Sequence, residues 1–146
     1  MRKKAVSIIL AFATLAMSMG SFCPYSYAAI ADPTASSVYV NGRKVAFDAY
    51  NINDSNYFKL RDIAFALTYM ALDVSGKHFE VEWDGENNAI SLTSGQLYTS
   101  VGGELAGKKS GAAEAAPTDS KIYLDGREAK FTAYNIDGNN FLNCAT

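Results

Sequence analysis

The 146-residue chain is poor in the residues that most metal enzymes need, since it contains one histidine and two cysteines. A single His78 cannot supply the two or three imidazoles of the usual catalytic copper, zinc or non-haem iron sites. Its 13 basic and 15 acidic residues give a formal charge of -2, without the basic field that nucleic-acid binding requires. The composition therefore argues against histidine-rich metal catalysis and against nucleic acid as a partner.

The longest apolar run lies near the N-terminus and is too short to cross a membrane. It covers residues 5–19, follows the basic residues 2–4, and leads to small residues at Ser26 and Ala28, as in a secretory signal. A run of about 15 residues falls short of the roughly 20 that a spanning helix needs. We predict that residues 1–28 are a cleaved signal peptide, and that the protein is secreted, extracellular or cell-envelope associated, with no membrane contact after cleavage.

Neither cysteine indicates a structural or lipid-anchoring role. Cys23 follows the bulky Phe22, whereas a lipobox has a small residue there. Cleavage after Ala28 would leave Cys144 as the remaining cysteine, which excludes an intramolecular disulfide. It would also remove three basic residues, leaving 10 against 15 acidic ones and a charge of -5.

An internal repeat organises the rest of the chain. Nine of the twenty positions from Val38 to Tyr57 recur identically at an offset of 84 residues. The recurring residues are Tyr39, Gly42, Arg43, Phe47, Ala49, Tyr50, Asn51, Ile52 and Asn56. The sequence thus holds one complete unit, predicted at 36–98, and the opening of a second, at 120–146. Residues 99–119 are rich in Gly, Ala, Ser and Lys, which predicts a flexible linker.

Hydrophobic alternation predicts short strands joined by polar turns. Asn41-Gly42 is a strong hairpin signal, and residues 51–56 and Asp84-Gly85 predict further turns. Asp62 is a plausible cap for a helix over residues 62–71. We expect Trp83, Phe47, Phe79 and Leu67 to dominate a small core. The predicted fold is α+β: a small antiparallel β-sheet packed on one α-helix, then the linker and a truncated second copy that is a β-hairpin only.

Three separated motifs resemble one known family. They are Val38 to Gly42, Phe58 to Asp62, and Val81 to Gly85 with the following Ala89 to Leu92. Together they resemble the copper amine oxidase N-terminal-like domain, or stalk domain, of secreted Gram-positive bacterial proteins. The resemblance covers Ser36 to Thr93 fully and Lys121 to Asn140 in part, and it implies a small antiparallel sheet around one helix. It implies no copper chemistry, because that belongs to a different, histidine-bearing domain.

The C-terminal tail departs abruptly from the first unit. Residues 141–146 can be encoded so that a shifted reading frame spells Phe-Lys-Leu-Arg-Asp, the motif of residues 58–62. Our hypothesis is a frameshift-truncated fragment of a longer repeat protein, in which Cys144 is an accident of frame. The alternative is a natural short tail. A hairpin without its helix is marginal alone, so its edge would join the first unit or another chain.

Two polar clusters resemble ligand sites but have simpler explanations. Asn51, Asn53, Asp54 and Asn56 are too poor in carboxylates for a calcium loop and predict a hydrogen-bonded turn. Glu80, Glu82 and Asp84 alternate with apolar residues, which predicts a solvated strand face and not an acid-base pair for sugar cleavage.

Three further features are also interpreted structurally. The glycines and lysines of residues 102–110 lack phosphate-loop spacing and are predicted to be linker. His78 is expected at an exposed turn, and Arg61 is expected to anchor a turn or pair with Asp62 or Asp84. We predict no catalytic, cofactor-binding or metal-binding residues, no cofactor and no enzymatic activity.

Two functions follow from these expectations. The first is a non-catalytic stalk, spacer or interaction module at the cell envelope. The alternative is a cell-wall or carbohydrate-binding module whose exposed tyrosines stack on sugar rings. The tyrosines considered are Tyr39, Tyr50, Tyr57, Tyr69 and Tyr98. The expected partner is a cell-wall polymer or another envelope protein.

Overall fold

The computed structural model describes residues 27–70, 76–107 and 110–143, so most of the predicted signal peptide and Cys144 lie outside the described residues. The strands are β1 (Ala29–Pro33), β2 (Val38–Val40), β3 (Arg43–Val45), β4 (Ala49–Ile52), β5 (Ser55–Lys59), β6 (Phe79–Asp84), β7 (Ala89–Ser94), β8 (Ala113–Pro117), β9 (Lys121–Leu124), β10 (Arg127–Glu128), β11 (Ala133–Ile136) and β12 (Asn139–Asn143). The helix α1 (Leu60–Phe65) continues into a π-helical turn at Ala66–Met70.

Six strands close into an antiparallel barrel in the order β1-β4-β5-β12-β11-β8. The first copy of the repeat supplies β1, β4 and β5, and the second supplies β8, β11 and β12. At the two seams between the copies, Ile30 pairs with Glu114 and Phe58 pairs with Leu142. Each of these pairs joins a residue to its own equivalent 84 positions later. The barrel therefore has a pseudo-two-fold axis that passes through both seams.

The barrel interior repeats this symmetry in its side chains. Ala31 and its equivalent Ala115 are fully buried, and their small size lets the β1–β8 seam close tightly. The ring centroids of Tyr50 and Phe141 lie 5.3 Å apart at 71°, and those of Tyr57 and Tyr134 lie 5.1 Å apart at 85°. These edge-to-face pairs exchange under the 84-residue offset, and such geometry is favourable for aromatic rings. The core of the barrel thus comes equally from both copies.

Outside the barrel, the β6–β7 hairpin of the first copy and the β9–β10 hairpin of the second copy form one sheet. The sheet has the order β10-β9-β7-β6, in which β7 and β9 are parallel and Ile90 pairs with Ile122. The helix α1 packs against this sheet and the barrel in one buried cluster. Its members are Leu60, Ala64, Val81, Ile90, Leu92, Tyr98, Ile122, Ala133 and Leu142.

The prediction of a small sheet packed on one helix is therefore wrong. A single unit brings only half of the barrel, and the second copy completes it by pairing β5 with β12 and β1 with β8. The predicted linker is also wrong over Ala113–Pro117, which forms β8. Its alanines suggested a tether, but inside a tight barrel small side chains are what a strand needs. The second copy likewise contributes more than a hairpin.

Two local turns were predicted correctly. Val40 pairs with Arg43 across Asn41-Gly42, whose φ values of +48° and +78° suit a two-residue hairpin turn. The predicted polar turn at residues 51–56 joins β4 to β5, with positive φ at Asn53 and Asp54. Asparagine and aspartate adopt this left-handed backbone more easily than most residues.

Two expectations about α1 and the core were wrong. The helix begins at Leu60, so Asp62 lies inside its first turn and is not the cap. The N-cap residue is Lys59, whose side chain makes no capping hydrogen bond. Trp83 is 51% exposed and not a core residue, whereas Phe47 is 5% exposed as expected. Within the described residues, no helix has the length and apolar character to span a membrane.

Candidate functional site

An open cleft of about 670 Å³ separates one end of the barrel from the four-stranded sheet. Both copies of the repeat contribute to its walls. The lining residues are Lys59, Leu60, Arg61, Val81, Glu82, Trp83, Asn88, Ile90, Ala116, Pro117, Thr118, Asp119, Ser120, Asn135, Gly138, Asn139 and Asn140. The volume falls in the range of small-molecule binding sites.

Trp83 is the large aromatic residue of this cleft. Along β6 the side chains change from partly buried at Phe79 to buried at Val81 and exposed from Glu82 onward, because the end of the strand extends past the core. A Cβ added at Gly85 would lie 3.3 Å from the indole Nε1, so the absence of a side chain there leaves room for the ring. The strand end thus presents half of an indole surface to solvent beside the cleft.

The opposite wall is polar and held by hydrogen bonds. The Ser120 hydroxyl donates to Asn88 Oδ1 at 2.8 Å, and the Lys121 backbone N–H donates to the Asn88 carbonyl at 3.0 Å. The Thr118 hydroxyl donates to Asn140 Oδ1 at 3.3 Å. These bonds fix the segment between β8 and β9 against the β6–β7 turn and against the barrel. The polar groups are therefore held in place before any ligand arrives.

The formal charges that line the cleft cancel. Lys59 Nζ donates to the Gly103 carbonyl at 3.0 Å and lies 3.7 Å from Asp62, and Arg61 Nη1 donates to Tyr98 Oη at 3.2 Å. Both cationic groups thus have partners within the protein. What remains for a ligand is the carboxylates of Glu82 and Asp119 with several side-chain amides. Such a set suits a neutral, hydroxyl-rich molecule better than an anion.

A buried tyrosine ties the loop after β7 to α1. Tyr98 donates its phenol hydrogen to Glu104 Oε1 at 2.7 Å while accepting from Arg61. Burial raises the pKa of Tyr98 to about 12, although the Arg61 hydrogen bond acts in the opposite direction. Burial opposes ionisation of Glu104, but hydrogen bonds from Tyr98, the Val101 N–H and Ser100 lower its pKa to about 2. The pair is a neutral phenol beside a carboxylate at neutral pH.

Asp62 is the most deeply buried charged residue of the described chain. It is fully buried, and its two carboxylate oxygens accept backbone hydrogen bonds from Asp48 at 3.2 Å and Leu105 at 3.0 Å. It therefore joins the β3–β4 connection, the helix and the loop after β7.

The other predicted polar residues have structural partners. Glu80 accepts backbone hydrogen bonds from Val81 and Thr99, and despite some burial these bonds and the nearby Arg61 lower its pKa. The Asn87 side chain is the largest cause of a lowered pKa at Asp84, which holds the β6–β7 turn. A general acid needs a pKa raised toward neutrality, so neither of these carboxyls suits that role.

Asn56 and His78 also serve local structure. Asn56 Oδ1 accepts from the Thr34 hydroxyl at 2.9 Å and from Asn51 at 3.5 Å. His78 is partly buried, with Nε2 3.1 Å from the Gly95 carbonyl. Arg61 contacts Tyr98, whereas the sequence suggested Asp62 or Asp84 as its partner.

The tyrosines expected to stack on sugars do not form the site. Tyr50, Tyr57 and Tyr98 are buried, each at 5% exposure or less. Tyr39 and Tyr69 are exposed, but neither lines the cleft. The aromatic residue that does line it is Trp83, which sequence alternation assigned to the core.

Sequence reasoning also missed the polar wall, although a signal for it exists. The repeat begins before Val38, because Pro33, Thr34 and Ser36 recur as Pro117, Thr118 and Ser120 at the same offset of 84. The structure repeats their bonds: Thr34 donates to Asn56 as Thr118 donates to Asn140, and Ser36 N–H donates to Thr34 Oγ1 as Ser120 N–H does to Thr118. An earlier start of the repeat would have moved Pro117 and Thr118 from the predicted linker into the second copy.

Among residues 27–70, 76–107 and 110–143, no group of three or more His, Cys, Asp or Glu side chains is arranged to hold a metal ion. Comparison with known proteins adds no assignment, because no protein-family model, curated protein or solved structure matches this chain. The stalk-domain resemblance therefore remains a prediction from the sequence.

Proposed function

We propose that this chain is a non-catalytic, secreted or cell-envelope module that binds a neutral polysaccharide in the cleft between its barrel and its four-stranded sheet. The observation that carries this proposal is the half-exposed Trp83 beside a polar cleft of about 670 Å³. A sugar ring has an apolar C–H face that packs on an indole, and hydroxyl groups that bond to carboxylates and amides.

The charges of the cleft favour this ligand class over others. Because Lys59 and Arg61 are balanced by the carboxylates of Glu82 and Asp119, a phosphate or sulfate gains no net attraction from the formal charges that line the cleft. The cleft is open to solvent, so it can hold one segment of a long neutral glycan, such as a cell-wall polymer.

The groups near the cleft whose pKa values are shifted do not suit acid–base catalysis. The pKa of Tyr98 is raised to about 12 by burial, so this phenol is a poor base at neutral pH. The pKa values of Glu80, Asp84 and Glu104 are all lowered. Glycoside hydrolysis needs one carboxyl with a raised pKa, so these three carboxyls do not suit the role of general acid.

The test is retention of the purified mature chain on insoluble peptidoglycan and on neutral polysaccharides. Trp83→Ala should weaken retention at least tenfold, because losing a stacked half-indole of ~100 Å² removes up to about 2.5 kcal/mol of apolar contact. Tyr39→Ala is the matched control, since Tyr39 is 61% exposed and lies outside the cleft. Equal retention of both variants would contradict the proposal, as would failure of the parent chain to bind any of these polymers.

A spacer or interaction role is the second candidate, and a different observation favours it. Strand β2 pairs with β3 alone within the described part of the chain, which leaves one edge of a short sheet for another partner. A module can bind a glycan in its cleft and a protein at this edge at the same time.

A further inference from the structure

The pseudo-two-fold symmetry of the barrel is not matched outside it. Within the barrel each copy supplies three equivalent strands. Outside it, the helix α1 and the β6–β7 hairpin come from the first copy, at residues 60–94. Among residues 27–70, 76–107 and 110–143, no second helix–hairpin segment accompanies the barrel strands of the second copy. The symmetry therefore defines two equivalent seats, meaning surfaces that a helix and hairpin can cover, and the described residues fill one of them.

In the seat that residues 60–94 fill, the β6–β7 hairpin covers strands of the second copy, including β9. The Lys121 N–H donates to the Asn88 carbonyl at 3.0 Å, and the Asp125 N–H donates to the Leu92 carbonyl at 2.9 Å. Ile122 and Leu142 are buried there, at 3% and 4% exposure, against Leu60, Ala64, Val81 and Ile90. Backbone pairing to β9 and apolar packing over the barrel thus act together.

The equivalent positions of the first copy are less covered. Val38 and Phe58, the counterparts of Ile122 and Leu142, are only partly buried. They line an apolar pocket of about 190 Å³ with Val40, Phe47, Ile63, Ala66 and Leu67. In the part of the chain that the structure describes, β2 pairs with β3 and with no third strand.

A second pair of equivalent residues, Phe47 and Phe131, shows that the helix position is covered in the first copy and uncovered in the second. Phe47 is 5% exposed because it packs in a cluster with Ala66, Ile63 and Met70 of the helical segment. Its counterpart Phe131 is 41% exposed. A second helix placed by the pseudo-two-fold axis would cover Phe131 in the way that the existing helix covers Phe47.

We propose that the β2 edge, its apolar pocket and Phe131 form a docking seat for a helix–hairpin segment of the same type as residues 60–94, carried by another polypeptide. Residues 60–94 of a second copy do not fit this seat, because they bury that copy's own Ile122 and Leu142. The occupant is therefore an additional repeat segment, with apolar residues at the positions of Leu60, Val81 and Ile90.

The direct test uses the ¹⁵N-labelled mature chain and an unlabelled peptide with the sequence of residues 60–98. Binding should be one to one and should slow amide exchange at least tenfold at Ser37 and Asn41, the equivalents of Lys121 and Asp125. A control peptide with Val81→Asp and Ile90→Asp should not bind. Protection confined to the existing β7–β9 pairing, or equal binding of the control peptide, would overturn the proposal.

A fused variant removes the dependence on the peptide's own folding. Residues 60–98 are appended directly after Asn143, where the 84-residue offset places them, so that the local concentration of the segment reaches about the millimolar range. The proposal requires protection at Ser37 and Asn41 in this variant as well. Protection in the fused chain without binding of the peptide would overturn the assignment to a separate polypeptide. No protection in either would overturn the seat itself.

Discussion

The buried carboxylate of Asp62 offers the sharpest test of how this fold is held together. It accepts one backbone hydrogen bond on each oxygen, from Leu105 at 3.0 Å and Asp48 at 3.2 Å. Asp62→Asn keeps the shape but replaces one acceptor with an NH₂ group that faces a backbone N–H. One hydrogen bond to a charged group, of about 1.5–3 kcal/mol, is lost and a buried donor is left unsatisfied.

We therefore expect Asp62→Asn to lower the free energy of unfolding by about 3 kcal/mol. This is a large part of the roughly 5–15 kcal/mol that holds a small domain. With a urea m-value of about 1.5 kcal/mol/M, the midpoint should fall by about 2 M. Amide exchange at Leu105 should accelerate too, because its hydrogen-bond acceptor is weakened.

The matched control is Asp54→Asn. Asp54 is exposed in the β4–β5 turn with a φ of +62°, a conformation that asparagine tolerates. The free energy of unfolding of this variant should differ from that of the parent by no more than about 0.5 kcal/mol, as is typical of a surface substitution. If Asp62→Asn also stays within that range at an unchanged m-value, the reasoning about Asp62 is refuted.

Two further predictions concern the loop after β7 and the repeat. The pKa of Glu104 is depressed from 4.5 to about 2, so its stabilising contribution should be complete above pH 4.5 and disappear as the pH falls toward 2. The difference in Tm between the parent and Glu104→Gln should shrink over that interval, and a constant difference would contradict this. Phe47→Ala should cost about 3–5 kcal/mol in urea unfolding, whereas Phe131→Ala should cost about 1–2 kcal/mol, because Phe131 is 41% exposed. Equal costs would contradict the asymmetry between the two halves.

The turns and individual strands were predictable because their signals are local. Asn41-Gly42 forms a hairpin turn almost independently of its surroundings, and the β6–β7 strands follow the alternation of Phe79 to Asp84 and the turn after it. The barrel was not predictable from such signals, because its seams join residues 84 positions apart in sequence. The repeat contained this information, but its early part at residues 29–36 went unnoticed behind an alanine-rich composition.

The site residues show the same limit. Alternation correctly separated the two faces of β6, but it could not show where the core beneath the strand ends, and so it placed Trp83 inside. Asp62 was recognised as a helix-start residue, yet its partner Leu105 lies 43 positions away, beyond any local pattern. The identity of a residue indicates what it can bond to, whereas only the tertiary structure shows which group it meets.

The two seams of the barrel also determine the order in which the molecule can form. Synthesis proceeds from the N-terminus, and β1 must wait for β8, as β5 must wait for β12. Both closures join distant segments, and such contacts make folding slow. The first three barrel strands thus emerge with an open edge on either side, and the chain becomes a closed barrel only when Asn139–Asn143 arrives. Until then the outer edges of β1 and β5 stay unpaired and can bind another strand.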